Sequence, residues 1–486
     1  MISLGAETEL HRLPGESRLV LWQRKTGRSL VIEESALEAP SAPLLRRLRE
    51  LHLLTPPLGL GALVPVRSRW PLLFPDSGEL WVPRPLRRGP GGVPFVALPV
   101  TDPQMTAWRQ CNGARTVAQI SQRSGLGLSA LFEFFGELTS FEVQALQLRD
   151  GPTPAHDPGP DRLLMPPRPA YPRPRDPAGT DTADWHRGVL VPEGHFDDVE
   201  TTLAHAFALP HPALGGQRYG ERLGEVLARE GWLPEAGTLL EVGPGTGELG
   251  AALHAAHPAL VWLRLDLAPG LLSGQEQVHP DSRSIAGDAL AMPIEDASVD
   301  FVLCNEVIAD LPTSVDPGRF GALLSPEPGQ TLFNVGAFRF LEELRRVLRP
   351  GGAAFVSEFG GPDELPTETA QLDHPEVSIH FGQLAAVARG LGLRAELVSI
   401  ADWMAFDLRS RWLARSCYEG LRARLRAEGR TLEARAWTLT SLQLPWPVEG
   451  LREVPIFEDG PGPVPTRFFA LLIRREQAMD AEAGPA

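Results

Sequence analysis

In LLEVGPGTGELGAAL (239–253) an apolar run, Leu239, Leu240 and Val242, passes into three glycines and then into helical spacing from Glu248 to Leu253. That order predicts a buried strand, a tight turn and a helix. Four similar apolar runs follow: ALVWLRLDLAP (259–269), SIAGDALAMP (284–293), VDFVLCNEVIADLP (299–312) and the end of FRFLEELRRVLRPGGAAFVSEFG (338–360). The last of these is preceded by amphipathic helical spacing and a Pro350-Gly351-Gly352 turn. LRAELVSIADWMAF (393–406) and TRFFALLIRR (466–475) predict a sixth and a seventh strand, and residues 407–450 between them read as a helical insertion. Strands alternating with helices predict an α/β fold with a doubly wound, Rossmann-like sheet of seven strands.

The N-terminal third has a different texture. LVLWQRKTGRSLVIE (19–33) predicts a hairpin, and APLLRRLRELHLL (42–54) a helix. A second unit runs from Thr101: a helix with Met105 and Trp108, a break at Cys111-Asn112-Gly113, a helix capped by Thr116, an amphipathic helix over 128–141 and a closing strand over 143–149. Three helices and a strand predict a winged helix. Residues 151–182 hold ten prolines between Pro152 and Pro177 and read as a semi-extended linker, because proline fixes φ and removes a backbone donor. The expected organisation is therefore 1–150, with units at about 15–60 and 100–150, then the linker, a domain over 183–478 and a tail over 479–486.

Composition narrows the function. The three cysteines, Cys111, Cys304 and Cys417, are far apart, which speaks against a disulfide scaffold or a metal centre and for a reducing, cytoplasmic setting. No signal peptide or long apolar span is read from the chain. The net charge is −15, but residues 1–150 carry 17 basic against 14 acidic residues and the rest of the chain carries −18. An acidic domain disfavours nucleic-acid binding, which needs basic surface for phosphates.

The glycine turn is the first chemical signal. Gly243, Gly245 and Gly247 allow a tight turn and a close backbone approach to a ligand, which by itself suits a dinucleotide equally well. Three features separate the readings: Glu248 stands where a dinucleotide fingerprint wants its third glycine, Glu241 opens the motif, and the motifs that follow come in a set order. The first of these, Asp266, lies about 20 residues on, where an acid bonds ribose hydroxyls. Gly287-Asp288 follows a short strand, and Asn305-Glu306 ends another. In this order the motifs resemble the class I S-adenosylmethionine-dependent methyltransferases. The resemblance implies that S-adenosylmethionine is held by Glu241, Gly243, Gly245, Gly247, Asp266, Gly287, Asp288 and Asn305.

Two narrower resemblances refine it. Tyr219-Gly220-Glu221, the glycine turn, Asn305-Glu306, Leu311-Pro312, Ser357-Glu358-Phe359-Gly360 and His380-Phe381-Gly382-Gln383 resemble the MidA-type protein arginine methyltransferases, with Asp310 displaced by one position. That likeness places Tyr219 at the cofactor. CNGARTVAQISQRSG (111–125) with the helix and strand after it resembles PqqD-like units, which bind a leader peptide by strand addition. Glu306, Asp310 and Glu358, each just past a strand end, are the candidate catalytic acids, with His380 as a further candidate base. The expected function is methyl transfer to a peptide or protein held by the N-terminal region. The alternatives are a small-molecule methyltransferase with an N-terminal lid or dimerisation domain, which would make the chain a homodimer, and a non-catalytic cofactor-binding assembly protein.

Overall fold

In the computed structural model the described residues are 4, 7–12, 17–37, 40–51, 53–54, 60–67, 71–83, 95–141, 143–151, 202–369, 376–430, 436–458 and 462–477. They form two units. The residues expected to form the linker lie outside the described set, Gly151 excepted.

The first unit begins with an antiparallel sheet, β1 (Thr8–Arg12), β2 (Arg18–Gln23) and β3 (Arg28–Glu33). The hairpin turn uses Gly27 at φ +67, where an added Cβ would stand 2.3 Å from the Leu146 carbonyl oxygen. Helix α1 (Ala42–Glu50) is capped by the Ser41 side chain, which accepts from the Leu44 amide. Next come β4 (Val64–Arg67) and a meander of β5 (Leu72–Phe74), β6 (Glu79–Pro83) and β7 (Phe95–Pro99), then α2 (Asp102–Arg109), α3 (Val117–Ser124), α4 (Leu128–Thr139) and β8 (Leu146–Arg149). The three helices and closing strand stand where the sequence predicts them, and β8 pairs with β4. The meander is additional.

The two small units expected from the sequence are joined in one body. The Trp22 indole donates to the Thr139 carbonyl at 3.1 Å, and Arg28 Nε donates to the Leu148 carbonyl at 2.8 Å. Residues 413–431 and 439–453 also belong to this unit. Their helix, Arg415–Ala427, lays Gly420 so close to Leu72 that an added Cβ would stand 2.7 Å from Leu72 Cδ1. Arg424 reaches Glu79 at 2.9 Å, and Glu449 exchanges backbone hydrogen bonds with Leu73. The expected helical insertion over 407–450 is thus corrected: it holds this one long helix, with irregular chain over the described residues 436–450.

The second unit starts with α5 (Leu203–Ala206) and α6 (Tyr219–Arg229). Then β9 (Gly237–Val242), α7 (Glu248–Ala256), β10 (Leu260–Asp266), α8 (Pro269–Val278), β11 (Arg283–Ala286), β12 (Val299–Asn305), α9 (Val335–Val347) and β13 (Leu348–Gly361) alternate. Helix α10 (Phe381–Gly390), β14 (Leu393–Ser399) and β15 (Phe468–Arg475) complete it. The sheet runs β11-β10-β9-β12-β13-β15-β14. A two-residue strand, Ile379–His380, also pairs with β13, so the sheet has eight strands where seven are expected. Strands β9 to β13 run parallel, while β15 is antiparallel to both neighbours.

Alternation along each strand loads both faces of this sheet. Leu239, Trp262, Phe301, Leu303, Phe355 and Leu472 pack into one layer. Leu240, Val242, Leu265, Val302, Cys304, Val356 and Ile473 pack into the other. Burial on both faces is why the strands read as near-continuous apolar runs. Strand order reverses between β9 and β12, and a doubly wound sheet opens its ligand crevice outside the carboxyl ends of the strands at that point.

Candidate functional site

A cavity of about 390 Å³ stands at those strand ends. Gly243, Gly245, Asp266, Gly287, Asp288, Asn305, Glu306 and Asp310 line it, as does Glu241. Nine positions at or just past strand ends, separated by up to 69 residues of sequence, thus meet on one wall.

The glycine loop is built by positive backbone angles, +61° at Gly243, +56° at Gly245 and +85° at Gly247. A Cβ on Gly243 would stand 2.5 Å from Val307 Cγ2, so another residue fits only if the loop or Val307 moves. Gly247 does not line the cavity; it closes the turn by donating to the Pro244 carbonyl and begins α7. Gln275 ties the loop to the next strand. Its fully buried amide donates to the Gly245 carbonyl at 2.7 Å and to Asp266 Oδ2 at 3.0 Å. Asp266 Oδ1 accepts from the Ala268 amide, and Asp288 Oδ1 from the Leu290 amide.

Glu306 is held under constraint. Its φ is +58°, in the left-handed region that a side chain with a Cβ rarely adopts. The carboxylate accepts the Leu203 amide at 2.8 and 3.1 Å and the Asn305 side-chain amide at 2.9 Å. Asn305 Oδ1 in turn accepts from the Tyr219 hydroxyl and from Ser357 Oγ. Backbone strain maintained by so many partners is characteristic of a working site.

Three expected site residues stand elsewhere. Tyr219 is buried behind the wall and reaches the cavity only through Asn305; burial and the nearby Glu306 push its phenol well up. Glu358 is buried and off the wall, with Oε2 accepting the Ala309 amide and Oε1 the Phe359 amide. Burial, then the charges of Glu306 and Asp310, raise its pKa well above the carboxylate range, and its two oxygens brace the backbone at Ala309 and Phe359. His380 caps α10, its Nδ1 accepting from the Gln383 amide, and is also off the wall. In all three cases the sequence marks a strand or helix end but not the direction of the side chain.

Sequence reasoning misses Thr202, Ala204 and His205 at α5, Leu271 on α8 and Arg339 on α9, which also line the cavity. Arg339 lies on the polar face of α9 with Glu342, Glu343 and Arg346, so its sequence does not set it apart.

The residues fit S-adenosylmethionine. Glu241 supplies an orphaned acceptor: Oε2 takes the Trp262 indole N–H at 2.9 Å, while Oε1 is buried with no partner among the described residues. Burial pushes this carboxyl up to about 8 against the pull of Trp262 and Arg264. It is therefore largely protonated at neutral pH in the free protein, and stability falls as pH rises from the ordinary carboxylate range toward 8. A bound cation reverses the preference. Binding of S-adenosylmethionine at pH 7 is expected to release a proton, and affinity to rise with pH up to about 8 and then level off. Calorimetry in buffers of differing ionisation enthalpy measures the release, and Glu241→Gln should abolish it. Release that persists in the variant assigns the proton to another group.

Comparison with known proteins agrees with this geometry. A family model described as "Methyltransferase domain" matches residues 240–322. The malonyl-[acyl-carrier protein] O-methyltransferase of Methylococcus capsulatus is 31% identical over 26% of this chain and 39% of its own length. The demethylmenaquinone methyltransferase of Renibacterium salmoninarum is 30% identical over 28% of this chain and 47% of its own. The chain thus spans less than half the length of these curated relatives. Among solved structures, a TehB-like S-adenosylmethionine-dependent methyltransferase from Corynebacterium glutamicum covers 55% of this chain and 92% of its own at 16% identity, with a TM-score of 0.27. No helix among the described residues is long and apolar enough to cross a membrane. The second unit is an S-adenosylmethionine-dependent methyltransferase domain.

Proposed function

We propose that the chain moves a methyl group from S-adenosylmethionine to a nucleophilic atom of a small organic acceptor at the Val307–Pro312 end of the cavity. Bound there, the cofactor supplies an electrophilic methyl on a sulfonium. The protein's task is to align the acceptor with it and to receive the acceptor's proton. Asp310 is the residue assigned that proton. It lines the wall past β12 between the apolar Val307 and Leu311–Pro312, and the Glu306 carboxylate beside it is held by the Leu203 amide and the Asn305 side chain. Glu306 positions, and Asp310 takes the proton.

The observation that carries this reading is the wall itself: apolar Val307, Leu311 and Pro312 beside an acid, in a cavity within the size range of small-ligand sites. The name of one relative, which specifies demethylmenaquinone, supports a non-peptide methyl acceptor. The test uses S-adenosylmethionine with an isotopically labelled methyl and the full chain, incubated with cell extract split into small-molecule and protein fractions. Label is expected in the small-molecule fraction. Asp310→Asn should lower kcat about a hundredfold with cofactor affinity unchanged, the usual scale for a lost general base.

A second reading keeps the peptide substrate. Its support is β7, an edge strand of the meander that precedes three helices and a strand, the setting in which the PqqD-like resemblance implies strand addition. Label confined to the protein and peptide fraction would favour it over the first.

A further inference from the structure

We infer that the acceptor carries an anionic group, a carboxylate or a phosphate, and that Arg339 grips it; this rests on the methyltransferase reading above. Arg339 is the one arginine or lysine on the cavity wall among the described residues. It is exposed, and it pairs with no acid among them. Arg346, on the same helix, is engaged by Glu343 and Asp296 and does not line the cavity.

The local packing fixes where Arg339 stands. Gly336, in the first turn of α9, donates to the Pro312 carbonyl at 2.6 Å, and an added Cβ there would stand 2.7 Å from Leu311 Cβ. That turn is therefore pressed onto the loop that follows Asp310. Arg339 is three residues further on, so it shares the face of Gly336 and overhangs the same loop. The sheet order separates this place from the cofactor's ends. Asp266 and Asp288 follow β10 and β11, on one side of β9, whereas α9 connects β12 to β13 on the other. The wall on this side of the sheet thus carries two opposite charges, Asp310 past the end of β12 and Arg339 on α9, together with Leu311 and Pro312. An acceptor that offers a protonated nucleophile to Asp310 and an oxyanion to Arg339 satisfies both. A cationic acceptor leaves Arg339 opposed by like charge. The anion is a handle and not the methylated atom, because a carboxylate needs no base to react.

The test titrates octanoate and octylamine into the full chain saturated with S-adenosylhomocysteine, by calorimetry. Octanoate is expected to bind, and octylamine to bind more weakly. Arg339→Ala should weaken octanoate about tenfold, the scale of one lost charge-assisted hydrogen bond, and leave S-adenosylhomocysteine affinity unchanged. Arg339→Lys should recover part of the loss. Octanoate affinity indifferent to Arg339→Ala, or a preference for octylamine, overturns the inference. Weaker S-adenosylhomocysteine binding in Arg339→Ala also overturns it, by giving Arg339 to the cofactor's own carboxylate. Failure of the unaltered chain to bind S-adenosylhomocysteine overturns the underlying reading as well, which separates the two failures.

Discussion

Asp266→Ala is expected to weaken S-adenosylmethionine binding by about a hundredfold, roughly the loss of two charged hydrogen bonds to ribose hydroxyls. The carboxylate stands at the end of β10, 7% exposed, at the cavity wall. Its own fixed partners, the Ala268 amide and the Gln275 side chain, hold it in place before any ligand arrives. The variant also frees Gln275, which steadies the Gly245 carbonyl, so part of the loss comes from a looser glycine loop. Asp266→Asn separates the contributions: it preserves an acceptor and the shape while removing the charge, so its loss should be intermediate. Calorimetric titration measures both. An Asp266→Ala variant that binds as tightly as the unaltered chain would place the ribose elsewhere.

Gly243→Ala is expected to damage both the fold and the cofactor site. The residue sits at φ +61°, which costs a residue with a Cβ about 1–2 kcal/mol. The new methyl would also meet Val307 Cγ2 at 2.5 Å, and overpacking of that kind costs about 1–3 kcal/mol. Relief requires either the loop or Val307 to move, and both are cavity wall. Stability should drop by roughly 2–5 kcal/mol and cofactor binding should fall with it. The double variant Gly243→Ala/Val307→Ala should recover the clash but not the backbone cost, a coupling that a double-mutant cycle in denaturant reads directly. Additive effects of the two changes would show that the contact is not the cause.

Much of this was legible because the informative patterns are local. A strand, a glycine turn and a helix occupy fifteen consecutive residues at 239–253, and the acids Asp266, Asp288 and Glu306 each follow an apolar run that announces a strand end. The late β15 was legible for the same reason. Contacts over long sequence separation were not. Nothing near Gly420, Arg424 or Glu449 signals that they pack on β5 and β6, more than 340 residues earlier in the case of Arg424 and Glu79. Helices deliver Gln275 and Arg339, which sequence patterning presents only as polar positions on amphipathic surfaces. Tyr219, Glu358 and His380 were expected at the site and stand behind or away from it, because a strand or helix end fixes position but not which way a side chain turns.

The structure also bears on how the N-terminal region is to be probed. Cutting the chain after residue 150 would strip β5 and β6 from the helix Arg415–Ala427, taking away the Leu72 that Gly420 packs on and the Glu79 that Arg424 pairs with. Point changes in an intact chain are therefore the cleaner instrument.

The most direct measurement is a pair of calorimetric titrations of the full chain, one with S-adenosylmethionine and one with NAD. The glycine turn alone permits either ligand; Glu248 in place of a third glycine and the orphaned Glu241 oxygen favour the first. One S-adenosylmethionine bound per chain, with no heat from NAD, is the expected result. Binding of NAD in its place, or of neither ligand, would contradict the account.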